Sequence, residues 1–123
     1  MGQYVVNEND GKYLFNLCGS NGHVIATSMV FASKEDCLTG IDQIRKTAAD
    51  AAIEDTTVDG TMHVPAPKYR IFQTLSGNYF FRFYPDDGGD IAQSHSYPLK
   101  DSLLRRIDRM REEGDSSLSH DVE

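Results

Sequence analysis

Asp10-Gly11-Lys12-Tyr13-Leu14-Phe15-Asn16-Leu17-Cys18, running on through Asn21-Gly22 to Ile25, has a counterpart 66 positions later: Ser76-Gly77-Asn78-Tyr79-Phe80-Phe81-Arg82-Phe83-Tyr84, running on through Asp87-Gly88 to Ile91. In each stretch a glycine turn opens a run whose large apolar residues recur every second position. Tyr13, Phe15 and Leu17, or Tyr79, Phe81 and Phe83, therefore share one face of a strand. A β-prone run precedes each turn, Tyr4 to Val6 or Tyr69 to Phe72, so each glycine closes a hairpin.

The correspondence continues outward at the same offset. Ile25, Ala26 and Ser28 fall on Ile91, Ala92 and Ser94, and Lys34, Leu38, Ile41, Asp42 and Arg45 fall on Lys100, Leu104, Ile107, Asp108 and Arg111. Asn21-Gly22 and Asp87-Gly88 supply residues tolerant of positive φ, which makes a second hairpin into a third strand, His23 to Met29 or Gly89 to His95. Two registers fit. A two-residue loop sets Asp90 on the aromatic face, whereas a three-residue loop with a bulged glycine sets Ile25 and Ile91 there and Asp90 outside. The bulged version is favoured, because an unpaired carboxylate in a core is costly.

Ser33, with acidic residues in the turn after it, is a helix N-cap. The spacing predicts a helix to about Ala48 with an apolar stripe of Leu38, Ile41, Ile44 and Ala48, repeated by Leu103, Leu104, Ile107 and Met110. Ala51 to Asp55 reads as a closing strand. The expected fold is α+β: two tandem β-β-β-α-β repeats forming one antiparallel sheet with both helices on one face and pseudo-two-fold symmetry. Within a single domain, repeat 1 spans 3–56, a linker 57–67, and repeat 2 68–114; 115–123 is a tail or a frayed last strand around Leu118 to Val122.

The run Gly-x-Tyr-x-Phe-x-Leu from Gly11 to Leu17, with Asn21-Gly22, Ile25, Ser28, Lys34 and Gly40-Ile41, resembles the YegP-like family, small bacterial and archaeal proteins with one such unit that dimerises or two in tandem. The resemblance covers about residues 3–56 and 68–113. It implies a single sheet whose units exchange their last strands, and, since the family is a domain of unknown function, it implies no active site. The second copy departs from the pattern: Arg106 stands where Gly40 does, Gly89 replaces a polar residue after the turn, and the closing strand is poor.

Composition narrows the function classes. The net charge of -7 disfavours overall attraction to nucleic acid or anionic lipid, although residues 67–114 hold 8 basic and 7 acidic side chains against 4 and 8 in residues 1–56. No apolar run of membrane-spanning length occurs, and Met1 to Asn7 lacks a signal-like core, which predicts a cytoplasmic protein with no membrane partner. Cys18 and Cys37 lack C-x-x-C spacing and read as reduced and structural.

His23, His63, His95 and His120 have no metal-ligand spacing, and Asp86-Asp87-Gly88-Gly89-Asp90 lacks the alternating ligands and closing Glu of a calcium loop. No nucleophile motif or phosphate loop is present. No catalytic residue, metal or cofactor is therefore assigned. Strand alternation leaves Leu14, Asn16, Phe80, Arg82 and Tyr84 on the sheet face away from the helices.

The expectation is a non-enzymatic accessory or binding module that engages an unknown protein or small-molecule partner through this open face or a sheet edge. The alternative is a nucleic-acid binder using Arg82 and the basic second helix with Arg105, Arg106, Arg109 and Arg111. Helical pairing of Asp101 with Arg105, Asp108 with Arg111 and Arg109 with Glu113 weakens that alternative. Two units in one chain stand in for a homodimer, which predicts a monomer.

Overall fold

Asp10 and Gly11 both take positive φ, 55° and 77°, which is the two-residue turn whose twist suits a tight hairpin. It joins β1 (Gln3–Asn9) to β2 (Lys12–Cys18), and after a second turn comes β3 (Val24–Ser28). Helix α1 (Lys34–Thr47) and the short β4 (Ala52–Asp55) follow. The same order recurs as β5 (Lys68–Gln73), β6 (Tyr79–Tyr84), β7 (Ala92–Gln93), α2 (Lys100–Glu113) and β8 (Ser117–Leu118). This computed structural model describes residues 2–118.

All strands join one sheet in the order β4-β5-β6-β7-β3-β2-β1-β8. Each closing strand pairs with the opposite half: β4 with β5, and β8 with β1. The last strands are thus exchanged. These two pairings are parallel, so the sheet is mixed and the fully antiparallel sheet expected from the hairpins is corrected. The cause lies in connection length. A parallel pair cannot be closed by a hairpin and needs a crossover of about a dozen residues, and residues 56–67 between β4 and β5 provide one.

Both helices cover one face. Phe15, Leu17, Phe81 and Phe83 from the hairpins meet Cys37, Ile41 and Ile44 of α1 and Leu103, Ile107 and Met110 of α2 in a single core of fully or nearly fully buried side chains. Of the expected stripe in α1, Ile41, Ile44 and Ala48 are buried, and Cys37 takes the first inward position while Leu38 is only partly covered. Ser33 caps α1 by accepting from the Asp36 N–H at 3.1 Å. Leu99 precedes α2 without a side-chain cap.

Between β2 and β3 the register shifts at Leu17/Cys18, and Ile25 is fully buried, as the bulged loop requires. In the second half Ile91 packs against the core and Asp90 lies outside it. There the third strand shrinks to Ala92–Gln93 instead of the expected Gly89 to His95, because Asp86-Asp87-Gly88-Gly89 curls into its own bridge, with Gly89 at φ 119°. The last strand formed is Ser117–Leu118, which overlaps the expected Leu118 to Val122 only at Leu118. The remainder, with His120, lies outside the described residues.

Polar groups inside the core are paired in matching ways. Ser28 Oγ accepts from the Phe15 N–H at 2.8 Å and donates to the Met29 carbonyl; Ser94 Oγ does the same for Phe81, at 3.0 Å, and for His95. Tyr4 donates its hydroxyl to the Gly114 carbonyl after α2, and Tyr69 donates to the Ala48 carbonyl after α1 at 2.7 Å. Each first strand therefore clamps the helix end of the other half. Burial raises both phenol pKa values, an effect that nearby Arg45 and Arg111 respectively only partly offset.

Candidate functional site

The sheet face without helices is built from the alternate residues of the same strands. Across it runs one cross-strand row: Glu54, Arg70, Arg82, Gln93, Thr27, Asn16 and Val5, each opposite the next. Phe80 and Tyr84 flank Arg82 on β6, and Phe72 neighbours them on β5.

The second half of this face is a stacked cluster. The Phe72 and Phe80 rings lie 5.3 Å apart at 21°, the Arg82 guanidinium sits over both at 5.1 and 5.5 Å, and Arg70 sits over Phe72 at 5.2 Å. Lys68 lies 5.5 Å from the Tyr84 ring. Such contacts hold the guanidinium groups in place while leaving their edges able to donate.

The two arginines differ in charge balance. Glu54, only 5% exposed in its side chain, lies 3.0 Å from Arg70 Nε as an ion pair without hydrogen-bond geometry and 3.2 Å from Lys68 Nζ, and it accepts from the Val64 N–H at 2.9 Å. Desolvation pushes the Glu54 carboxyl up, but the Val64 N–H and the Lys68 and Arg70 cations outweigh it and hold it below the usual carboxylate range. Arg82 has no carboxylate partner among the described residues, and its Nε is buried with no hydrogen-bond acceptor.

The expected set of Leu14, Asn16, Phe80, Arg82 and Tyr84 thus divides. Phe80, Arg82 and Tyr84 cluster on β6; Leu14 and Asn16 lie on β2, three strand spacings or about 14 Å away. All five are half-buried rather than open. Asn16 still belongs to the row and accepts from Thr27 Oγ1 at 2.6 Å. Arg70 and Phe72 were missed as site residues, although their alternation with Tyr69 and Ile71 carried the signal.

Arg82 and the arginines of α2 lie on opposite faces of the sheet, because Phe81 and Phe83 point to the helices and Arg82 away from them. The nucleic-acid surface expected from their combination is therefore split. The ion pairs expected on α2 form between Arg109 and Glu113 at 3.4 Å and between Arg111 and Asp108 at 4.0 Å, whereas Arg105 has none among the described residues. His63 approaches Glu54 at 3.9 Å from an exposed position, and His23 contacts Asn21 in its turn. In the acidic turn Asp86 accepts from the Gly88 N–H at 2.8 Å.

These features define a two-layer α+β protein with two helices on one face of an eight-stranded sheet, exchanged closing strands, and a cation-aromatic cluster on the bare face. The model of a domain of unknown function, DUF1508, matches residues 8–55. A UPF0339 protein of Treponema denticola is 41% identical over 49 residues, 40% of this chain and 84% of that protein, which is therefore just under half the length of this chain. A UPF0339 protein from the ptx operon 5′ region of Stutzerimonas stutzeri is 29% identical over 100 residues, 78% of this chain and 89% of that one.

The solution structure of the protein of unknown function YegP from E. coli superposes with a TM-score of 0.75 at 20% identity, covering 95% of this chain and 89% of that one. A UPF0339 protein from Shewanella oneidensis gives 0.73 at 18%, covering 98% and 95%. The chain belongs to the UPF0339, YegP-like family. No helix among the described residues is long and apolar enough to cross a membrane.

Proposed function

We propose that this protein is a non-enzymatic binding module made of two copies of one unit, and that the bare sheet face of the second copy docks a protein partner. The observation that carries the reading is Arg82: its guanidinium is fixed over Phe72 and Phe80 and has no carboxylate partner among the described residues. A guanidinium held over apolar rings without a counter-charge gains from a partner whose carboxylate meets its outer nitrogens. Phe72, Phe80 and Tyr84 offer the apolar surround that excludes water from such a contact. The partner therefore presents an acidic side chain amid apolar surface.

The test is a photoreactive phenylalanine analogue at Phe80 in the living host. A discrete protein adduct that is lost with R82A, and absent when the probe stands at Thr39 on α1, supports the reading. No adduct, or the same adduct from both positions, overturns it.

Single-stranded nucleic acid is the second reading, favoured by aromatic rings beside guanidinium groups on strands. It requires salt-sensitive binding that R82A weakens, and a flat low-salt gel shift removes it.

A further inference from the structure

The helix face of the molecule carries a different cluster. At equivalent places in the two halves, α1 has Thr39, Gly40 and Gln43 where α2 has Arg105, Arg106 and Arg109. In the first half the tip of the Phe31 ring approaches Gly40 so closely that a Cβ there would stand 2.9 Å from its Cζ, and the ring stacks on Phe15 at 6.1 Å. In the second half Arg106 occupies the glycine's place. Tyr97, the counterpart of Phe31, lies beneath its guanidinium at 5.7 Å, and an open groove of about 600 Å³ remains between α2 and the β2–β3 turn.

The groove is lined by Asn21, Tyr97, Ser102, the three arginines and two acidic residues, Asp108 and Glu112. Its floor is fixed, because Tyr97 and Tyr79 exchange two backbone hydrogen bonds of 2.7 Å. Arg109 is already engaged by Glu113 and Ser20, both at 3.4 Å, whereas Arg105 and Arg106 have no carboxylate partner among the described residues. Of the two acidic lining residues, Asp108 faces Arg111, and Glu112 lies six residues beyond Arg106, about 9 Å along the helix axis. The end of the groove around Ser102, Arg105 and Arg106 is thus cationic, rich in donors and nearer the positive end of the helix dipole. The first half builds the same helix without these arginines, so their charge is not a requirement of the fold.

We infer that this groove binds the phosphate group of a small metabolite, held by Arg105 and Arg106 with Ser102 and Asn21 as neutral partners. Forked guanidinium donors match phosphate oxygens, and the volume falls in the range of small-molecule sites. This site lies on the opposite side of the sheet from Arg82 and stands independently of the docking face.

The probes are inorganic phosphate and pyrophosphate, with citrate as a carboxylate control, added to 15N-labelled full chain. Saturable shifts at the Asn21 and Tyr97 amides and the Arg106 Nε–Hε signal are expected with pyrophosphate. R106Q should weaken binding about tenfold or more while leaving the rest of the spectrum in place, and R105Q should act likewise. Shifts that do not saturate, that appear equally at Arg70 and Arg82, or that survive R105Q/R106Q overturn the site. Citrate binding as tight as pyrophosphate overturns its assignment to phosphate.

Discussion

Replacing Tyr69 by Phe removes one oxygen from the molecule and leaves its packing intact. The ring is fully buried, set edge-on to Phe81 and Phe83 at 5.4 and 5.0 Å, and its hydroxyl is a 2.7 Å donor to the Ala48 carbonyl at the end of α1. Ala48 is itself 1% exposed, so no water replaces the lost donor. A buried acceptor left unpaired costs about 1–3 kcal/mol, which for a chain of this length lowers the melting temperature by roughly 3–5 °C per kcal/mol. Urea denaturation followed by circular dichroism at neutral pH measures it.

A second signature separates this hydrogen bond from a general loosening of the core. Burial raises the Tyr69 phenol pKa in the folded chain, with Arg111 opposing the rise. Above about pH 10 the unfolded chain releases that proton while the folded chain keeps it, so wild-type stability falls by up to about 1.4 kcal/mol per pH unit. The Y69F variant lacks this penalty, and its deficit against wild type is expected to narrow by about 1 kcal/mol by pH 11. A deficit below about 0.5 kcal/mol at neutral pH, or stability curves that stay parallel into alkali, would refute the clamp.

Removing Ser28 Oγ strands the buried Phe15 N–H, so S28A should cost about 1–3 kcal/mol and speed hydrogen exchange at the Phe15 amide; unchanged protection there would contradict the assignment. Glu54 holds Lys68 and Arg70 with a lowered carboxyl pKa, so its stabilisation is present above the free Glu value of about 4.3 and is lost as pH falls below it. E54A should cost about 3 kcal/mol at pH 7 and flatten the acid limb of a stability-pH curve, and an unchanged acid limb would count against the pairing. A fragment of residues 1–66 leaves β4 without β5, so it should fold only as a dimer in which Ala52–Asp55 pairs with Gln3–Val6 of the second copy; light scattering that finds a folded monomer would refute the exchange.

The hairpins and helices were legible because each rests on local chemistry: Asp10-Gly11 dictates a turn, Phe15 and Leu17 alternate, and Ser33 starts a helix. The parallel closing strands were not read, although the twelve residues from 56 to 67 exceed any hairpin loop. The candidate site was legible only in part. Alternation put Phe80, Arg82 and Tyr84 on one face, but whether Arg82 had a partner depended on Glu54, which reaches that face from an exchanged strand and spends its charge on Lys68 and Arg70. The swap of Gly40 for Arg106 was visible as a departure from the match between the two halves, while its consequence, an open groove floored by Tyr97, depended on packing against Phe15 in one half only.

Exchange also explains why so small a frame can keep Arg82 immobile. Lys100 at the start of α2 pairs with Asp55 of β4 at 2.8 Å, Arg111 at its end donates to the Ala51 carbonyl at 2.7 Å, and Tyr4 and Tyr69 each reach the other half's helix. Neither half can open without breaking contacts that hold the other, so the sheet is expected to unfold as one cooperative unit. Strands β5 and β6, which carry the cation-aromatic cluster, are flanked by β4 on one side and β7 on the other. Side chains fixed on such strands lose little freedom on meeting a partner, and the contact keeps more of its gross energy. A loop carrying the same Phe72, Phe80 and Arg82 would give up much of that energy to ordering.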